Sequence, residues 1–206
     1  MVIEQIFDTI NLVLNKQRRG FVKTSQKITA VTAAMYDFFR SEAEFYRKTG
    51  VLPASLKEFV KPVELVVTDG IANLPTDFAQ EVSLETDCGS QGVFLSPEEY
   101  YDRLQSSILD PDQANPIAKC INGKLYIAPD EFTTITLTYL RTPSEFTYAT
   151  TVAGDGRSET FNEAGSVDIE YGMEFSNEIA RRALAYLGVA FQNAEAFQLA
   201  INDNAK

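Results

Sequence analysis

The sequence predicts an α+β fold: an N-terminal helical pair, a small antiparallel β-unit with a long projecting hairpin or loop, and a C-terminal helix. Three observations predict it. Apolar residues recur at steps of three and four from Ile3 to Tyr46 and again from Ile179 to Phe191, as on one face of a helix. After Pro62 the period falls to two, as in half-buried strands. Asn122-Gly123 then separates Ile117–Ile121 from Lys124–Ala128, supplying the two positive-φ positions of a type I′ hairpin turn. The expected divisions are a helical hairpin over 1–60 and an antiparallel β-unit with one inserted helix over 61–146. An extended loop or hairpin over 147–172 comes next, and a helix over 173–206 packs on the N-terminal helices.

In the first helix Ile3, Ile6, Phe7, Ile10 and Leu14 share a face, and the basic run before Gly20 ends it. Thr24 or Ser25 can cap the second, whose stripe runs Ile28, Val31, Met35, Phe38 or Phe39, Glu42, Phe45 and Tyr46. A short connection makes the two an antiparallel pair. Gly50 stops the second helix, and Pro53 opens a short helical or 3₁₀ turn through Leu56 and Phe59.

Val63, Leu65 and Val67 alternate up to the turn Thr68-Asp69-Gly70, and Gln80–Leu84 and Val93–Leu95 read as further strands. Ser96-Pro97-Glu98-Glu99 is a helix start, with serine as cap, proline at the first position and acids in the first turn. Ile135, Leu137 and Tyr139 alternate with threonines in Thr133–Leu140, a strand with one buried face. Residues 147–171 are poor in aliphatics and glycine-rich at Gly154-Asp155-Gly156. They read as an exposed excursion, Tyr148–Val152 against Glu159–Phe161, of the kind that serves interactions. The final helix places Ile179, Ala183, Leu184, Leu187 and Phe191 on one face.

Eighteen Lys and Arg against 29 Asp and Glu leave a net charge of −11, which disfavours a surface that grips nucleic acid. Two cysteines, Cys88 and Cys120, form neither a metal-ligand spacing nor a disulfide framework. No signal peptide is visible, and no apolar run approaches the ~20 residues of a membrane span, so the expectation is a chain made in the cytoplasm.

No histidine is present, which removes Ser-His-Asp and Cys-His catalysis and the usual zinc sites. The visible carboxylate pairs, Glu98/Glu99 and Asp110/Asp112, have simpler accounts as helix-start acids and turn residues. Gly154-Asp155-Gly156 lacks phosphate-loop spacing, and Asp168 with Glu170 does not make a calcium loop. Lys16, Arg18, Arg19 and Lys23 form the one cluster able to touch phosphate, and Arg181-Arg182 reads as a solvated or intersubunit pair. Tyr100, Tyr101, Tyr126 and Phe132 are the candidates for an aromatic platform. The sequence thus predicts no catalytic, cofactor-binding or metal-binding residues.

The order of the pieces is the remaining signal: Leu14-Asn15-Lys16 through Gly20, Leu74-Pro75-Thr76-Asp77-Phe78, the Ser-Pro-Glu-Glu helix, Tyr126-Ile127-Ala128-Pro129, Tyr139-Leu140-Arg141-Thr142-Pro143 and Glu178-Ile179-Ala180. This order resembles the neck or head–tail connector (ring or adaptor) proteins of tailed bacteriophages. The N-terminal element is most similar to the ring proteins of crAss-like phages. The resemblance implies a structural virion protein in a ring, usually twelvefold, between capsid portal and tail. It implies the portal and other neck or tail rings as partners, DNA passing through the lumen without specific binding, no cofactor and no membrane. The alternatives are a carbohydrate- or peptide-binding module on the tyrosine platform and a hydrolase that uses carboxylates alone.

Overall fold

A computed structural model describes residues 1–16, 22–106, 109–152 and 159–188. The protein is mixed α and β, and it divides into two units: Met1–Glu58 with Pro143–Lys206, and Phe59–Thr142.

The first unit contains α1 (Val2–Lys16), α2 (Thr24–Thr49) and α4 (Ser176–Tyr186), while α3 lies in the second unit. In α1 the predicted stripe is buried, with Ile3, Ile6 and Ile10 at 0% exposure. In α2 the buried residues run from Ala30 to Ala43, and Phe45, expected in the stripe, is exposed. Ala43 takes the inward position there, and two residues further along the helix a side chain is turned about 200° away. The cap also differs from expectation. Lys23 is the N-cap and its N–H donates to Gln26 Oε1 at 3.1 Å, while the Thr24 hydroxyl donates to Glu159 Oε2 at 2.6 Å. Gly50 closes α2 in the left-handed region, its N–H donating to Tyr46 O at 2.7 Å.

The sequence predicts α1 and α2 as a packed pair; in the structure they meet through Lys27 Nζ and Asn11 Oδ1 at 2.6 Å, and it is α4 that packs extensively against both. The reason lies in the breadth of the α4 apolar face. Ile179, Ala180, Ala183 and Leu184 are all fully buried, and two adjacent rows of small and aliphatic side chains can meet two helices at once. The predicted extension of this helix through Phe191 lies outside the described residues.

The second unit is a seven-stranded sheet of β1 (Val60–Val66), β2 (Ile71–Asn73), β3 (Phe78–Thr86), β4 (Gln91–Phe94), β5 (Ile117–Ile121), β6 (Lys124–Ala128) and β7 (Thr134–Arg141), with α3 (Pro97–Leu104). The order is β1-β7-β3-β4-β5-β6-β2, and the outer strands β1 and β2 approach each other, so the sheet curls nearly closed. It is mixed, which corrects the expected small antiparallel unit: β4 and β5 run parallel, with Val93 opposite Ile117 and Phe94 opposite Ala118. Parallel neighbours need a long crossover, and the segment holding α3 is that crossover.

β7 is the hub, pairing with β1 on one side and β3 on the other. Its Ile135, Leu137 and Tyr139 join Val67, Ala72, Leu84, Ala118, Leu125, Ile127 and Phe132 in one core. The Asn122-Gly123 turn has the predicted positive φ values of 50° and 73°. Gly70 is required twice over. Its φ is +71°, and a Cβ there would lie 2.9 Å from the Ile127 carbonyl oxygen. β1 ends the strand order and carries Lys61 and Pro62, devices that discourage pairing with a foreign strand.

The segment 147–172 contains the expected hairpin, β8 (Thr150–Val152) against β9 (Glu159–Phe161), with Thr150 opposite Phe161. Its Gly154-Asp155-Gly156 tip lies outside the described residues. Beyond β9 the chain is anchored rather than exposed, with Ile169 and Tyr171 buried. Among the described residues no helix is long and apolar enough to cross a membrane.

Candidate functional site

Two of the sequence motifs meet in the sheet unit. Asp77 lies at the mouth of β3 and Tyr139 on β7, and the Tyr139 hydroxyl donates to Asp77 Oδ1 at 2.7 Å. The Phe78 and Tyr139 rings stack with centroids 5.7 Å apart, Phe78 sits opposite Arg141, and the Thr142 N–H donates to the Asp77 carbonyl at 2.8 Å. Leu-Pro-x-Asp-Phe and Tyr-x-Arg-x-Pro are therefore two halves of one junction, closing β3 onto β7. Tyr139 is fully buried, and Lys61 Nζ lies 3.4 Å from Asp77 Oδ2 at the rim.

The Tyr139 hydrogen bond holds the Asp77 carboxyl below the usual carboxylate range, while burial and then that same bond push the Tyr139 phenol up to about 12. A raised folded-state value means the tyrosine's contribution is present below its unfolded value of about 10 and is lost as pH rises toward 12. For Asp77 the contribution is present above the unfolded value of about 4 and is lost as pH falls through the depressed one. Tyr139→Phe is expected to cost about 1–2 kcal/mol near neutrality and to flatten the alkaline loss of stability. Urea unfolding across the alkaline range checks both.

Three of the four candidate platform residues come together. Tyr100 and Tyr101 on α3 and Tyr126 on β6 surround the Lys119 ammonium of β5, with ring centroids 4.4, 3.5 and 5.0 Å from Nζ. Lys119 stands directly opposite Tyr126 in the β5–β6 register and is 2% exposed. The Tyr100 and Tyr101 rings meet edge to face at 85°, so they do not form a flat stacking surface. Phe132 lies elsewhere, in the sheet core. The sequence does carry a signal for Lys119, since period-2 spacing sets it between Ile117 and Ile121 on one face of a strand.

The other candidates resolve into local chemistry. Glu99 Oε2 accepts from the Ser96 N–H and hydroxyl at 3.1 and 2.8 Å, completing the predicted cap, and that hydroxyl bond holds its carboxyl low. Asp112 Oδ1 accepts from the Ala114 N–H and from the Asn115 N–H and Nδ2, again lowering its carboxyl. Glu98 and Asp110 are exposed. Asp168 Oδ2 and Oδ1 accept from the Val2 and Ile3 N–H groups at 2.9 and 2.8 Å, and Glu170 accepts from the Ser144 N–H at 2.8 Å. Arg181 and Arg182 both bind Glu178 of the same helix, and Arg182 also reaches Asp37 Oδ2 at 3.1 Å, so Arg182 ties α4 to α2. Lys16 is the last residue of α1, and Arg18 and Arg19 lie outside the described residues.

Both thiols are free. Cys88 is exposed beside the Thr86 hydroxyl at 3.2 Å, which lowers its thiol, whereas burial pushes the Cys120 thiol up to about 12. In the helical unit a cavity of about 170 Å³ is lined by Phe7, Asn11, Thr24, Lys27, Tyr148 and Glu159 among others. Its polar groups satisfy one another: Lys27 Nζ donates to Asn11 Oδ1 at 2.6 Å, and Thr24 to Glu159. Burial lowers the Lys27 ammonium, with Glu159 opposing. Among the described residues no group of three or more Cys, Asp or Glu side chains could hold a metal ion.

No protein-family model and no curated protein matches this chain.

Proposed function

We propose that this chain is a non-enzymatic structural subunit of a tailed-bacteriophage neck. It forms a ring, twelvefold by the resemblance, between portal and tail, with the portal and adjoining rings as neighbours and DNA passing through the lumen. The observation that carries the reading is the Asp77–Tyr139 junction. Two of the motifs that carry the resemblance meet as a structural closure, with a stacked ring pair and a cross-strand hydrogen bond. Those residues hold a shape, which is the work of a ring subunit.

Two further features support it. A net charge of −11 keeps a lumen from gripping DNA. The β8–β9 hairpin lies outside the seven-stranded sheet, and an exposed Val152 near its tip offers a neighbouring copy an apolar hold. A closed ring needs two unlike surfaces of one subunit to fit each other, and helices, sheet and hairpin give the chain several distinct faces.

The test is native mass spectrometry and electron microscopy of the purified chain, followed by antibody labelling of intact phage particles. Closed rings and label at the neck are expected. A strictly monomeric protein together with unlabelled particles overturns the proposal.

A further inference from the structure

Lys119 is a lysine where the sheet would accept an aliphatic residue. Ile117 before it is 1% exposed and packs with Tyr100 and Ala128 beneath α3, and Lys119 continues that face at 2% exposure. Its ammonium carries three N–H donors, and among the described residues it contacts ring faces and no hydrogen-bond acceptor or carboxylate. Ring faces attract a cation but leave its N–H groups unused, and a desolvated ammonium is stable only when it is paired.

The surroundings describe the occupant. Tyr101 is 55% exposed although its ring lies 3.5 Å from Nζ, and Leu104, on the same side of α3, is 41% exposed. Ile121, two residues along β5 and hence on the same sheet face, is 37% exposed. Val93, opposite Ile117 in the parallel register, is 54% exposed. A buried cation bordered by exposed apolar side chains, with the exposed Lys124 opposite Ile121 at one edge, has the composition of an interface for an anionic group: a desolvated charge at the centre and a largely apolar rim. Its complement is a carboxylate set in an apolar surround. The chain carries 29 acidic residues against 18 basic ones, so another copy of itself can supply such a carboxylate.

We propose that the Lys119 ammonium is the receptor for an Asp or Glu side chain of a neighbouring copy, with Val93, Tyr101, Leu104 and Ile121 forming the rim of that contact. The inference rests on the ring reading and deepens it, naming one of the two unlike surfaces that ring closure requires. It also gives an anionic subunit a way to associate with itself against its own net repulsion.

The test uses the full chain. Lys119→Met keeps the stem and removes the charge, and Lys119→Arg keeps both. Sedimentation velocity is expected to show Lys119→Met folded but associating about thirtyfold or more weakly, with Lys119→Arg close to the parent. Zero-length carbodiimide coupling of mixed isotope-labelled and unlabelled protein is expected to join Lys119 to an acidic residue of the other copy. This decides the matter even if Lys119→Met fails to fold. Unchanged assembly of folded Lys119→Met, or coupling confined within one copy, overturns this inference and leaves the ring reading standing. A monomeric parent protein overturns the inference, and labelling of phage particles then judges the ring reading separately. Binding of an acidic oligosaccharide that Lys119→Met abolishes, without self-association, overturns it in favour of a glycan ligand.

Discussion

Leu137→Ala is expected to destabilise the sheet unit by about 3–4 kcal/mol. Leu137 is fully buried at the middle of β7, opposite Val63 of β1 and Leu84 of β3. Its side chain belongs to the shared sheet core, and β7 is hydrogen-bonded to a strand on either side at this position, so the walls of the void cannot collapse inward. Val63→Ala is the matched comparison. Val63 is only half-buried on the outermost strand, and its truncation is expected to cost about 1 kcal/mol. Urea unfolding followed by tyrosine fluorescence measures both. Equal effects of the two substitutions would refute the central place given to β7.

Asp168→Ala is expected to cost about 2 kcal/mol and to act mainly on α1. The first N–H groups of a helix have no partner within it, and here the Asp168 carboxylate, far along the chain, accepts two of them at once. The negative charge also faces the positive end of the helix dipole. Asp168→Asn retains one acceptor oxygen and loses the charge, so about half the effect is expected. Amide hydrogen exchange is the sensitive measurement. Protection in α1 falls well before protection in β3 and β7, while a uniform loss across both units would contradict the assignment.

The sequence discloses what nearest neighbours determine. The Asn122-Gly123 turn is fixed by the φ values that two adjacent residues tolerate, and the Ser96–Glu99 cap by a hydrogen bond three residues long. The buried face of β7 follows from alternation alone. Apart from the cap and the Phe45 position of α2, the failures concern distance along the chain. Whether β4 and β5 run parallel depends on where a crossover lands, although a helix lying between two strands is itself the clue. The apolar stripe of α4 shows that it is buried but not that it lies against both α1 and α2. Asp168 and Glu170 make no motif in the sequence because their N–H partners, at Val2, Ile3 and Ser144, belong to other segments. The tyrosines of the platform are visible and strand spacing sets Lys119 between Ile117 and Ile121, but its enclosure by those rings is not legible, since a charged residue in a strand ordinarily faces solvent.

The helical unit is assembled from both ends of the chain, and the sheet unit is the stretch between them. Val60 lies opposite Leu140, so that stretch starts and finishes on paired strands, about 5 Å apart. During synthesis the sheet unit is complete once β7 has emerged, whereas α1 and α2 must wait for α4 before their apolar faces are covered. These two helices, made before the sheet unit, are therefore covered only after it. Their uncovered stripes expose apolar surface on the nascent chain, and the rate at which the ribosome delivers the segment from Pro143 through α4 limits how long that lasts.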